Sequence, residues 1–95
     1  MAIPTFQMVM LPLMKYCAEN PQEHRMDDLI EIMIKYFNLT EEERSQLLPS
    51  GKQEIIYNRV GWARSHLKIA GLLDDPKRGY VKITQLGINT MKKNP

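Results

Sequence analysis

Residues 53–84 have the sequence QEIIYNRVGWARSHLKIAGLLDDPKRGYVKIT, and this stretch decides the fold. Its first part repeats apolar residues at helical spacing, which predicts a helix over about 53–70. Gly71 is the expected residue just beyond the helix end, because glycine adopts the left-handed conformation without strain. Two short runs then flank a Pro/Gly turn at 76–79, and residues 80–84 alternate apolar with polar. The stretch therefore predicts a helix followed directly by a β-hairpin.

Two helices are predicted in the first 38 residues. Thr5 is the expected N-cap of a helix that runs to about residue 18, and Pro12 either kinks this helix or stands in its first turn. Apolar residues at helical spacing predict a second helix over about 28–37, with Asp27 as N-cap and Asn38 as C-cap. Arg25–Met26 is a candidate for a very short strand that precedes this helix.

Local end signals predict two more helices. Thr40-Glu41-Glu42-Glu43 has the spacing of a capping box and opens a short third helix to about Leu47. Thr84 is expected to cap a last helix after the hairpin. The predicted fold is mainly α (α+β), a winged helix-turn-helix in the order α-α-α-α-β-hairpin-α, forming one domain over 1–95. In such a fold the second helix of the pair enters the DNA major groove.

The composition is that of a globular protein, with 43% hydrophobic and 25% charged residues. These values exclude a disordered tail and a low-complexity segment. The single cysteine, Cys17, excludes an internal disulfide and a multi-cysteine zinc site, and it favours a reducing, cytoplasmic location. No signal peptide and no membrane-spanning segment are expected, because the apolar start of the chain is short and interrupted by prolines.

The net charge of +2 hides an uneven distribution along the chain. Residues 1–50 hold four basic residues and eight carboxylates, for a net charge of −4. Residues 51–95 hold nine basic residues and three carboxylates, for a net charge of +6. A basic face of this kind attracts polyanions, and double-stranded DNA is the partner that the predicted fold favours.

Polar and basic groups on the fourth helix, its lead-in loop and the hairpin tip suit DNA contact. Asparagine pairs with adenine and arginine with guanine. Lysine, serine and the amides at a helix start hold phosphate. The candidate DNA-binding residues are Ser50, Lys52, Gln53, Asn58, Arg59, Ser65, Lys68, Lys77 and Arg78.

Trp62 and Gly61 in the same helix need an explanation. Trp62 points away from the core on a helical wheel, but we expect it to pack against a neighbouring element, as a lone tryptophan in a small domain usually does. Gly61 lowers helix stability by about 1 kcal/mol relative to alanine, which predicts the close approach of another helix or of a phosphate. An alternative function is protein interaction, including a homodimer, through a strip of Ile55, Trp62 and Ile69.

The sequence predicts no catalytic residue, metal site or cofactor. Asp75-Pro76-Lys77 has the Asp-x-Lys spacing of a nuclease metal site, but a second carboxylate has to converge from another element. Neither His24 nor His66 has a partner at metal-ligand spacing. Cys17 falls in an apolar helical stripe and is expected to be a core residue rather than a nucleophile.

The chain also resembles the N-terminal domain of Mrr-type, modified-DNA restriction endonucleases. The resemblance rests on segments 3–6, 10–13, 39–44, 48–53, 57–64 and 67–73, and on residues near the end of the chain: Arg78, Gly79, Ile83, Thr84 and Gly87. The block Asn58-Arg59-Val60-Gly61-Trp62-Ala63 is its most specific part. The resemblance implies a winged-helix DNA-recognition module that precedes a separate, metal-dependent nuclease domain of a type IV-like enzyme.

Overall fold

A computed structural model describes residues 3–93 as a mainly helical α+β fold with a small sheet. The elements are α1 (Phe6–Glu19), β1 (His24–Arg25), α2 (Met26–Tyr36), α3 (Glu41–Ser45), α4 (Ile55–Ile69), β2 (Leu73–Asp74), β3 (Tyr80–Ile83) and α5 (Gln85–Lys93). The predicted element order and the predicted winged-helix class are confirmed. The strand expected at Arg25–Met26 is present one residue earlier.

The core lies where α1, α2 and α4 meet the inner face of the sheet. Each helix contributes its apolar stripe, so Leu13 of α1, Leu29 of α2 and Val60 of α4 are all fully buried. Cys17 is buried in this core as well, which agrees with its predicted role. The opposite face of α4 is therefore left to project from the domain.

The three strands form an antiparallel sheet in the order β1-β3-β2. Val81 pairs with His24 on one side of β3, and Ile83 pairs with Leu73 on the other. We call residues 75–79, which join β2 to β3, the wing. Gly79 has a φ of 80°, which lets the chain turn back into β3.

Local signals predicted the helix ends well. The Thr5 hydroxyl accepts a hydrogen bond from the Met8 amide, and Thr40 and Glu43 form both bonds of the capping box. Gly71 has a φ of 80°, as the predicted end of α4 requires. Thr84 caps α5 by accepting from the Gly87 amide at 3.0 Å.

Both ends of α2 differ from the sequence prediction, and pairing with a distant segment explains the first of them. Asp27 is not the N-cap of α2, because the Met26 amide donates to the wing carbonyl of Gly79 at 2.9 Å and the helix starts directly after β1. The C-cap of α2 is Phe37 rather than Asn38, which instead has a φ of 53° just beyond the helix.

The turn before α4 also differs from prediction. The third helix ends at Ser45, and α4 begins at Ile55 rather than at about Gln53. An isolated bridge between Leu47 and Glu54 accounts for both changes, because it requires extended backbone on either side of the turn.

Candidate nucleic-acid interface

A groove of about 540 Å³ lies between α4 and the wing, and we call it the α4–wing groove. The buried stripe of α4 fixes which side chains point into it, since residues opposite Val60 must project outward. The wing closes the other side because β2 and β3 pair in antiparallel register. Five of the predicted DNA-binding residues line this groove: Gln53, Asn58, Ser65, Lys77 and Arg78.

The other four predicted residues lie outside the groove lining. Ser50 and Lys52 are exposed in the turn before α4, where the Lys52 amide donates to the Ser50 hydroxyl at 3.4 Å. Arg59 is half-buried on α4. Lys68 is on α4 as well, nearer its C-terminal end.

The start of α4 offers less to a phosphate than the sequence predicted. The Ile55 amide, the first of the helix, already donates to the Gln46 carbonyl at 2.8 Å. Gln53 lies two residues before the helix, and its backbone carbonyl oxygen accepts a hydrogen bond from the Leu48 amide. Phosphate contact in this region therefore depends on the exposed turn at Ser50 and Lys52.

Two basic side chains of α4 share one carboxylate oxygen. Asp75 Oδ2 accepts from Arg64 Nη1 at 2.8 Å and from Lys68 Nζ at 2.8 Å. Desolvation by itself raises the pKa of Asp75, but hydrogen bonds and charge from Lys68 and Arg64 outweigh it and lower the pKa overall. Asp75 is thus an anion within the basic face, fixed between two of its cations.

The wing lysine is paired too. Lys77 Nζ lies 3.1 Å from Glu23 Oε1 and 4.3 Å from the centre of the Tyr80 ring. The hydrogen bond and charge of Glu23 raise the pKa of Lys77. Within residues 3–93, by contrast, the side chains of Lys52, Arg59 and Arg78 have no hydrogen-bond or ion-pair partner.

The expectation that Trp62 packs inside the protein is wrong. Its side chain is 54% exposed and lines the α4–wing groove. Its recorded ring contact is with His66, one turn along the same helix, at 6.1 Å between ring centres. The predicted direction on the helical wheel was correct, and no element of residues 3–93 comes near enough to cover the ring.

Gly61 also lines the groove, and the predicted approach of another helix is not found. A Cβ atom built at Gly61 has no neighbouring atom within 4 Å in the described part of the chain. The other predicted cause, a phosphate of a bound ligand, stays a prediction.

Polar contacts fix the side chains of the first turn of α4 where they line the groove. The Tyr57 hydroxyl donates to Asp27 Oδ1 at 3.0 Å, which ties α4 to the first turn of α2. This bond is the main cause of the raised pKa of Tyr57. The Asn58 side-chain amide donates to Gln53 Oε1 at 3.3 Å, so Asn58 is oriented by a residue of the predicted phosphate-holding segment before α4.

The described residues offer few groups that could support catalysis. Residues 3–93 contain no group of three or more His, Cys, Asp or Glu side chains arranged to hold a metal ion. Burial raises the pKa of the Cys17 thiol to about 12, so this group is a neutral core side chain. No helix in the same range has the length and apolarity needed to cross a membrane.

The family described as the Mrr N-terminal domain matches residues 6–93, nearly the whole chain. The chain belongs to the Mrr N-terminal domain family. The resemblance noted in the sequence is therefore confirmed, including its extent.

This Mrr N-terminal domain is similar to the type IV methyl-directed restriction enzyme EcoKMrr of Escherichia coli (strain K12). The two are 30% identical over 95 residues, which is 100% of this chain and 31% of the relative. The chain thus spans about a third of that relative. No solved structure matches it significantly.

Sequence reasoning missed part of this Mrr N-terminal domain's groove. Arg64 was not among the predicted DNA-binding residues, and Asp75 was considered only as a metal ligand. These two residues are 11 positions apart, and they meet because the chain turns back between α4 and β2. The signal available in the sequence was the i, i+4 spacing of Arg64 and Lys68, which puts both cations on one side of α4.

Proposed function

We propose that this chain is a DNA-recognition module that binds duplex DNA through α4 and the wing. The carrying observation is the α4–wing groove, which collects Asn58, Ser65 and Arg78 beside the exposed face of a winged-helix recognition helix. In this family of folds that helix enters the major groove, and the wing contacts the adjacent backbone. The E. coli relative is by name a restriction enzyme, which supports DNA as the ligand.

The proposed contacts divide by their chemistry. Asn58 suits base edges, and Gln53 orients it. Phosphates suit the groups that have hydroxyl, ammonium or guanidinium ends and lie in or beside the groove, namely Ser50, Lys52, Arg59, Ser65 and Arg78. Lys77 reaches a phosphate only by leaving Glu23, and Lys68 only by leaving Asp75.

The double variant Arg59→Ala/Arg78→Ala tests this assignment. Both cations are unpaired within residues 3–93, so their removal breaks no ion pair there. If both contact phosphates, log affinity plotted against log salt should flatten by up to about 1.8. Duplexes with and without methylated bases form the natural pair of ligands, because the relative is described as methyl-directed.

Lys15→Ala/Lys35→Ala is the matched control, since Lys15 lies in a separate groove between α1 and α2 and Lys35 is exposed on α2. It removes two positive charges from the domain without touching the α4–wing groove. If Arg59→Ala/Arg78→Ala binds like this control, Arg59 and Arg78 do not belong to the interface.

A second candidate function is protein interaction, including self-association. The observation that favours it is apolar exposure, because Trp62 is 54% and Ile69 86% exposed on the outer side of α4. The variant Ile69→Ser tests it, since this side chain lies outside the groove and contributes little to the core. A protein that dimerises through the strip would show a lower mass by light scattering after this substitution, while a monomer would be unchanged.

We further propose that the chain itself does not cut DNA and that cleavage belongs to a separate part of a longer protein acting in the cytoplasm. The support is that the chain spans 31% of the restriction-enzyme relative. Incubation of the purified chain with plasmid and magnesium should leave supercoiled DNA intact. Nicking that follows the chain through every purification step would overturn this part of the proposal.

A further inference from the structure

Asp75 is a carboxylate in a surface that is otherwise suited to phosphate. It lines the α4–wing groove, and its Oδ2 atom binds both Arg64 and Lys68 at 2.8 Å. The Asp75 side chain is only 26% exposed, and that of Arg64 28%. Arg64 is held on its other side as well, because Nη2 lies 3.5 Å from the Ser65 hydroxyl oxygen.

We infer that Asp75 withholds Arg64 and Lys68 from DNA phosphates and so lowers the affinity of the domain for duplex DNA of arbitrary sequence. This inference rests on the proposed function. Phosphate contacts supply the affinity that is independent of sequence, whereas contacts to base edges supply the discrimination. A recognition module whose two cations are already paired binds DNA of arbitrary sequence more weakly. It keeps its discrimination between base sequences, because the contacts to base edges are unaffected.

The pair resists displacement by a phosphate for two reasons. A phosphate that captured both cations would leave the Asp75 carboxylate without partners in a site where most of it is covered. It would also stand next to that carboxylate, and the two like charges would repel each other. Because the cations lower the pKa of Asp75, the carboxylate stays ionised at neutral pH and keeps both partners.

The ion pair between Lys77 of the wing and Glu23 is more exposed than the Arg64–Asp75 pair and is therefore easier to break. Lys77 and Glu23 are 59% and 40% exposed, and their separation is 3.1 Å. Exposed pairs of this kind contribute little and are screened by salt. Lys77 is therefore free to exchange Glu23 for a phosphate, whereas Arg64 and Lys68 remain with Asp75.

The test is the variant Asp75→Asn, compared with Asp74→Asn. Both remove one negative charge from neighbouring positions, but Asp74 is exposed and has no ion-pair partner within residues 3–93. Asparagine keeps the size of Asp75 and one hydrogen-bond acceptor. A general effect of net charge appears in both variants, and release of the two cations appears in Asp75→Asn alone.

Binding to a random-sequence duplex is measured by fluorescence anisotropy between 50 and 200 mM salt. Asp75→Asn should bind more tightly than Asp74→Asn at 50 mM. Its plot of log affinity against log salt should be steeper by up to about 1.8, which is roughly a further tenfold loss of affinity over this fourfold range of salt. Equal binding and equal slopes in the two variants would overturn the inference.

Lys68→Gln in the otherwise unchanged chain supplies a second measurement that does not depend on Asp75→Asn folding. Lys68 is 47% exposed and outside the core, so the fold tolerates this change. Lys15→Gln is the charge-matched comparison, because Lys15 lies in the separate groove between α1 and α2. The inference expects Lys68→Gln to lower duplex affinity no more than Lys15→Gln does in the natural background, and to lower it further in the Asp75→Asn background. A larger loss than that of Lys15→Gln in the natural background would show that Lys68 contacts DNA directly, and the inference would be wrong.

The two proposals fail in different ways. If the proposed function is wrong, neither the unchanged chain nor Asp75→Asn binds duplex with a salt dependence. If only the present inference is wrong, the unchanged chain binds with a slope, and Asp75→Asn has the slope of Asp74→Asn.

Discussion

Replacing Gly61 with alanine should make the domain more stable and a poorer DNA binder. Gly61 lies inside α4, has ordinary helical φ, and lines the α4–wing groove. A Cβ atom at this position has no neighbour within 4 Å in the described part of the chain. The substitution therefore removes the flexibility of glycine and creates no clash with residues 3–93.

The size of the stability gain follows from helix propensity. Alanine is more favourable than glycine in a helix interior by about 1 kcal/mol. For a domain of this size such a gain raises the melting temperature by roughly 4–8 °C. Because the new methyl group would project into the groove, a ligand that approaches the α4 backbone there should bind more weakly.

Gly87→Ala is the contrasting variant. A Cβ atom at Gly87 would lie 2.7 Å from Ile83 Cγ1 and would also collide with the Leu72 carbonyl oxygen. Overpacking of this kind destabilises by about 1–3 kcal/mol, so the two glycine substitutions should shift the melting temperature in opposite directions.

Thermal unfolding by circular dichroism and duplex binding by anisotropy are the two assays. Gly61→Ala should raise the melting temperature and lower the affinity for duplex DNA. A stabilised variant with unchanged affinity would show that no ligand approaches α4 at this point. A destabilised variant would show that the space beside Gly61 is not open.

Three further predictions concern stability and reactivity. Cys17 is fully buried, and its thiol has a pKa of about 12, so thiol reagents at pH 8 should label it only after urea unfolds the chain; labelling of the native protein, seen by mass spectrometry, would contradict the buried position. Thr40→Ala removes the side-chain acceptor of the α3 capping box and should lower the free energy of unfolding by about 1 kcal/mol in urea titrations. Thr40→Ser keeps the hydroxyl acceptor and should lose only a small part of this stabilisation. The pKa of Asp75 in the folded protein lies below the ordinary aspartate value of about 3.9, so its stabilisation is present above that value and is lost as the pH falls through the folded pKa. Urea titrations should therefore bring the natural chain and Asp75→Asn together below about pH 4, and a constant difference down to pH 2 would refute the assignment.

Features set by near neighbours in the chain were predictable from sequence. A cap needs a hydroxyl three residues before an amide, and Thr5, Thr40 and Thr84 all provide one. The apolar stripe of α4 identified the buried side of that helix, and with it the side that projects outward. The fold class followed, because element order and the basic hairpin depend on these local patterns.

Features set by distant segments were not predictable in the same way. The bridge between Leu47 and Glu54 delays the start of α4, and no local signal marks it. Trp62 stays exposed because no other element within residues 3–93 covers it, and this depends on how the elements are arranged in space.

The charge pattern shows the same limit. The sequence located an excess of positive charge on α4, its lead-in loop and the wing. It did not show that Asp75 neutralises part of that charge through contacts with two cations of α4. For the candidate site, residue types and faces were thus predictable, whereas the pairing that decides which cations are available was not.

The salt dependence of duplex binding by the unchanged chain tests the central claim most directly. If Lys52, Arg59 and Arg78 are the cations available to phosphates, log affinity should fall linearly with log salt between 50 and 200 mM, with a slope of about −2.7. Exchange of Lys77 from Glu23 to a phosphate would make the slope steeper by about 0.9. Binding that does not change with salt, or no binding at 50 mM, would contradict the account of this domain as a DNA-recognition module.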